Sequence, residues 1–221
     1  MRIGLFASVA LGGVLLTGGT ALADGVPSGI EVGLRSGYAI GLGSTAQNAN
    51  MSDYIGGDIP IWIDAGYRLA SPNLFLGAYF QYGIGFVSGQ TSNQCQSPVS
   101  CSAFVMQYGI QAHYHFMPDN QFDPWVGYGI GLENAQVNLS AGGQNGSVSA
   151  SGWDYGIIQV GADYRGLMNN LGVGPLLMFG FGQYNNESTS AGGTSTSGSI
   201  QNQAMHEWLT IGVRGVYDIQ I

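Results

Sequence analysis

Apolar residues recur at every second position through most of this chain. That period of two is the spacing of a strand whose faces meet different environments, and it constrains the fold more than any other feature. Between Asp58 and Arg68, one face carries Ile59, Ile61, Ile63, Ala65 and Tyr67, and the other carries Asp58, Trp62, Asp64, Gly66 and Arg68. The same division runs through Ile30 to Ile40, Leu74 to Phe86, Phe104 to Phe116, Trp125 to Glu133, Ile158 to Arg165, Leu171 to Tyr184 and Trp208 to Ile221. Only the seventh of these eight segments is untidy, because Leu176 and Met178 interrupt its polar face. Most of the segments reach the roughly 9 to 11 residues that a tilted strand needs to cross a bilayer.

The connections alternate in length. Ala70–Asn73, Met117–Asp123 and Gly166–Asn170 are short and rich in turn residues. Gly41–Gly57, Ser88–Ser102, Asn138–Ala150 and Asn185–Gln203 are long and dominated by Ser, Gly, Asn, Gln and Thr, and read as polar loops. Short turns on one side and long loops on the other predict an up-and-down barrel with its short side, and both termini, in the periplasm. Tyr67, Phe116, Tyr164 and Tyr217 lie on the apolar face near the short turns, where an aromatic girdle is expected.

The first residues suit an exported chain. Arg2, the apolar run Ile3–Leu16 and Ala21-Leu22-Ala23 form the three parts of a cleavable signal, so residues 1–23 read as signal peptide and 24–221 as one barrel domain. Glycines at 12, 13, 18 and 19 argue against a membrane helix there, and no other stretch approaches the roughly 20 apolar residues that such a helix needs. Charged residues are only 8% of the chain against roughly 25% in soluble domains, while mean hydropathy is just +0.13. No lysine is present; cleavage would leave four arginines against 13 acidic residues, which excludes a nucleic-acid partner. Cys95 and Cys101 sit in a polar stretch of a chain bound for an oxidising compartment, and a local disulfide is expected.

Asp123-Pro124-Trp125-Val126-Gly127-Tyr128-Gly129-Ile130-Gly131-Leu132 resembles the Pro-aromatic-x-Gly-x-Gly-x-Gly strand opening of the small eight-stranded outer-membrane β-barrels, the superfamily of the OmpA transmembrane domain, OmpX and OmpW. The resemblance extends over the mature chain as a pattern. It implies an all-β, eight-stranded antiparallel transmembrane up-and-down barrel in contact with outer-membrane lipid and lipopolysaccharide. It also implies recognition of the C-terminal strand by the barrel-assembly machinery. Family members end on an aromatic residue, whereas this chain ends on Ile221.

If the apolar face meets lipid, the polar face points inward. Glu31, Arg35, Asp64, Arg68, Glu133, Asp163, Arg165, Arg214 and Asp218 then share one lumen, which in an eight-stranded barrel is just wide enough for side chains to fill. The expectation is an ion-pair network that plugs the barrel. Trp62, Trp125, Trp153 and Trp208 have inward parity and would fill space left by inward glycines. A surface-interaction or structural role follows, with an extracellular ligand reached through the long loops. The competing roles are a narrow channel or carrier for small hydrophobic molecules and, third, an outer-membrane enzyme. No catalytic residue is expected: His113 and His115 lie near the predicted periplasmic end, and His206-Glu207 is read as a surface pair before the last strand, without a nucleophile motif. His113-x-His115 could offer two ligands to a metal, but no third is visible, and no cofactor is expected.

Overall fold

The computed structural model describes residues 28–47, 49–88, 91, 93, 95–168 and 170–220, so the predicted export signal and Ile221 lie outside the described residues. The chain forms β1 (Gly29–Ala46), β2 (Ala49–Asn50), β3 (Ile55–Leu69), β4 (Leu74–Val87), β5 (Ser100–His115), β6 (Phe122–Ala141), β7 (Gln144–Met168), β8 (Leu171–Ala191), β9 (Thr194–Ser199) and β10 (Met205–Gln220). Strands β1, β3 to β8 and β10 pair antiparallel in sequence order, and β10 closes the ring on β1. That seam runs unbroken from Gly29 opposite Gln220 to Gly43 opposite His206. A closed ring pairs every strand with two neighbours, which is the condition for β-structure in lipid.

The alternation decides which side is which. Leu34, Ile63, Ile110 and Ile211 are 57 to 63% exposed on the outer wall, while Glu31, Arg68, Gln159 and Arg214 are buried inside. An apolar belt of this extent suits hydrocarbon, not water. Tyr67, Phe116, Tyr164 and Tyr217 all face outward near the short turns.

Three sequence expectations need correction. Two of the four long polar loops are not loops: β6 and β7 continue pairing through Val137 opposite Val148 to Ala141 opposite Gln144, and β8 and β9 form a similar arm. The arms turn at Gly142-Gly143 (φ 57° and 80°) and Gly192-Gly193 (φ 57° and 85°). Positive φ at both central residues makes the tight turn whose twist matches the paired strands, so polar composition there marks exposed strand. At the opposite end, Asp123 and Gly166–Met168 belong to strands, which shortens two turns.

The second correction concerns Trp153, which is 51% exposed and faces outward, unlike buried Trp62, Trp125 and Trp208. Register shifts between Asp154 and Gly156 place an extra residue in β7 relative to both neighbours. A bulge of one residue reverses the facing of everything beyond it. Thus Asp154 turns inward while Trp153 and Tyr155 turn outward. Third, His206 is not on the surface: it lies within β10 and is fully buried.

Candidate functional site

The lumen is layered. In its short-turn half, four arginines and five carboxylates interlock. Arg214 donates to Glu31 (2.5 Å) and Asp163 (3.1 Å), and Arg68 donates to Glu31 (3.2 Å) and Asp123 (3.1 Å). An alternating chain of charge runs Asp163–Arg214–Glu31–Arg68–Asp123, and Asp123 also meets His115 Nδ1 at 2.7 Å. Arg35 donates to Asp64 (2.8 Å) and Gln159 (2.5 Å), and Arg165 pairs with Asp218. The planar guanidinium suits this task because its fork can serve two carboxylates at once. Burial makes the pairing obligatory, since an unpaired charge in a dry lumen costs several kcal/mol.

Aromatic rings fill the gaps between these charges. Arg214 lies 4.6 Å from the Trp125 ring centroid, and His113 is stacked between Phe75 and Trp125 at 5.0 and 4.9 Å. Trp125 also donates its indole N–H to Asp163 at 3.2 Å. Gly161 makes this packing possible, because a Cβ there would sit 2.5 Å from the Trp125 ring. Above lies an apolar layer of Trp62, Tyr79, Ile157, Leu176 and Met178. The two residues that spoil the alternation of the seventh predicted segment therefore form part of the lumen filling.

Past that layer sits a second polar cluster, built around Glu133. Its Oε1 accepts from the Tyr184 hydroxyl and from Trp208 Nε1 (3.0 Å); its Oε2 accepts from Gln107 Nε2 (2.8 Å) and lies 3.4 Å from His206 Nε2. The Tyr184 and His206 rings stack at 4.0 Å with 9° between their planes. Asp154 completes the group: donor atoms of Glu133, Asp154 and His206 all lie within 4.8 Å of one another. The backbone explains the meeting. Gly182 of β8 is paired to Asp154 on one side and to His206 on the other, so these two side chains flank a residue that has none.

Above this cluster the lumen widens into a cavity of about 450 Å³ at the long-arm end, lined by Met51, Ile55, Val137, Leu139, Ile200 and Tyr184 among others. Met51 belongs to a short 3₁₀ turn in the β1–β3 connection and folds inward until it is 1% exposed. The Cys95–Cys101 disulfide closes part of the β4–β5 connection.

Of the nine charges assigned to the lumen by parity, all are buried, and eight lie in the interlocked layer. Glu133 does not join it: among the described residues every arginine is engaged by other carboxylates. Parity alone would have added Asp58, His113, His115 and Gln159. Asp123 was hidden by its assignment to a turn, and Asp154 by the bulge. The third ligand that sequence lacked for His113 and His115 is Glu31, within 4.8 Å of both. That trio is poor ground for a cation, because Glu31 is already held by Arg68 and Arg214.

Closed ring, apolar exterior and charged, side-chain-filled interior together give the fold of the small eight-stranded outer-membrane β-barrels. Similar solved structures include a major outer membrane protein from Thermus thermophilus, with a TM-score of 0.57 at 11% identity over 87% of this chain and 99% of that one. The outer membrane protein AlkL, determined in DMPC lipid bilayers, gives a TM-score of 0.51 at 17% identity over 94% of this chain and 99% of that one. At such identities the likeness is one of fold. No protein-family model and no curated protein sequence matches the chain.

Proposed function

We propose that this chain is a bacterial outer-membrane barrel with a structural or surface-interaction role, inserted with its short turns and both termini in the periplasm and its long arms outside. In this role the lumen is a plug and the barrel performs no catalysis. The observation that carries the reading is the buried chain from Asp163 through Arg214, Glu31 and Arg68 to Asp123, which crosses the lumen beside stacked Trp125 and His113. Ions would have to break several charge-assisted bonds to pass. Outward-reaching β6–β7 and β8–β9 arms supply the contact surface. Reconstitution of the purified barrel in planar lipid bilayers is expected to give no steady conductance. Sustained open channels would overturn the plug.

One observation favours a second role, capture of a small hydrophobic molecule. The mouth cavity of about 450 Å³ falls within the range of small-molecule sites and is lined largely by apolar side chains. Saturable binding of a hydrophobic fluorescent dye to the folded barrel, lost in Val137→Glu, would support it. Uptake no different from empty vesicles would limit the role to binding at the mouth, without transport.

A further inference from the structure

The chain contains no lysine, and its arginines are Arg2, Arg35, Arg68, Arg165 and Arg214. The last four are all committed to Glu31, Asp64, Asp123, Asp163 and Asp218 in the short-turn half of the lumen. Asp58, Glu133 and Asp154 are equally buried, at 0 to 2% exposure, yet among the described residues no arginine reaches them. Among the described residues, His206 is the one basic side chain in their midst. Carboxylates so enclosed need a compensating positive charge.

The cluster also has an unused donor atom: Asp154 Oδ2 is buried and has no hydrogen-bond partner among the described residues. Glu133, by contrast, is pinned by Tyr184, Gln107 and Trp208, and His206 is held flat against Tyr184. Fixed orientation by outer partners is what a metal-binding carboxylate or imidazole requires. The spacing fits as well: His206 Nε2 and Glu133 Oε2 stand 3.4 Å apart. A tetrahedron with metal bonds of 2.0 to 2.1 Å has an edge of about 3.4 Å.

We propose that Glu133, Asp154 and His206 form a site for one divalent transition-metal ion of the Zn²⁺ type, reached from the long-arm mouth past Tyr184. One imidazole with two carboxylates is a mixed nitrogen and oxygen set suited to Zn²⁺. Tyr184 lines the mouth cavity and also donates to Glu133, so its ring stands between the cavity and the site. Water from the cavity completes the coordination. The alternative compensation is protons alone, with no metal bound.

The folded barrel in detergent, stripped with chelator, is titrated with Co²⁺ and then with Zn²⁺. The expected result is saturable uptake of one Co²⁺ per chain with a visible absorption band, displaced by Zn²⁺. Affinity should fall more than about tenfold in Asp154→Asn and in His206→Gln, and stay within threefold of the parent in His113→Gln, whose ring belongs to the other histidine cluster. Folding of each variant is checked by heat-modifiable gel migration. Zinc-edge X-ray absorption on the unaltered protein needs no variant, and is expected to show one imidazole and oxygen ligands. No saturable uptake by the unaltered barrel, two imidazoles in the spectrum, or unchanged affinity in both folded variants would overturn the proposal.

Discussion

Arg214 bridges two carboxylates across the lumen, and removing it tests the plug directly. It is fully buried, donates to Glu31 at 2.5 Å and to Asp163 at 3.1 Å, and lies against Trp125 at 4.6 Å. Arg214→Met keeps much of the stem and its contact with the indole while deleting both charged bonds. Hydrogen bonds to charged groups contribute about 1.5 to 3 kcal/mol each, so two of them give roughly 3 to 6. Breaking one partner out of a buried ion pair costs about 3 to 5 kcal/mol, which agrees. Glu31 keeps Arg68 and Asp163 keeps Trp125 N–H, so the lower part of that range, about 3 to 4 kcal/mol, is expected.

The assay is urea unfolding of the refolded barrel in micelles, followed by the mobility of folded and unfolded bands on unheated gels. With slopes of roughly 1 to 3 kcal/mol per molar, the urea midpoint should fall by at least about 1 M. Adding Glu31→Gln to Arg214→Met removes one of the stranded charges. The double variant should therefore be more stable than the sum of the single losses, with a coupling of about 0.5 to 3 kcal/mol. A midpoint within about 0.3 M of the parent for Arg214→Met would correspond to less than about 1 kcal/mol. Such a result, or strict additivity in the double variant, would refute the account of the lumen as a load shared among paired charges.

Two further substitutions test the walls of the barrel. Ile110 is 61% exposed on the outer face, so Ile110→Arg should cost about 2 to 4 kcal/mol in the same titration if that position meets the middle of a bilayer, and under about 0.5 if it meets water. Gly161→Val drives a side chain into Trp125 and towards the Pro175 carbonyl (2.8 Å), and should destabilise by about 1 to 3 kcal/mol. Gly180→Ala, whose added carbon would find its nearest atoms at 3.8 Å, should stay within about 0.5 kcal/mol of the parent.

Why strand number and facing are legible while part of the site is not follows from what parity can carry. A residue such as Ile63 needs only its position relative to Ile61 and Ala65 to be placed outside, because β3 is regular there. The ion-pairing residues Glu31, Arg35, Asp64, Arg68, Asp163, Arg214 and Asp218 sit on equally regular stretches, and Arg165 keeps its inward facing beside the register shift between Tyr164 and Met168. Asp154 is not on such a stretch. On the parity of Gln159 and Asp163 it faces lipid, and only the extra residue in β7 turns it inward. The phase switch was visible in retrospect: Trp153 and Tyr155 are apolar at odd positions, whereas Ile158, Val160 and Tyr164 are apolar at even ones. Met51 is a different failure, since nothing local says that a methionine in a polar connection folds back into the lumen.

The two polar layers meet one difficulty, buried carboxylates, by different means, and the difference bears on what each half does. In the short-turn half the counter-charges are covalent parts of the chain, with Arg68 and Arg214 each bridging two acids from different strands. Such a layer ties the strands together through bonds between its own side chains. In the long-arm half the surplus of Asp58, Glu133 and Asp154 over His206 must be met from outside, by protons or by a bound cation. It lies directly below the cavity through which either would arrive. The barrel is thus closed by its own residues at one end and left electrostatically incomplete beneath its open mouth. That asymmetry points any ligand-dependent role of the lumen to the Glu133 cluster, and leaves the arginine layer as the wall behind it.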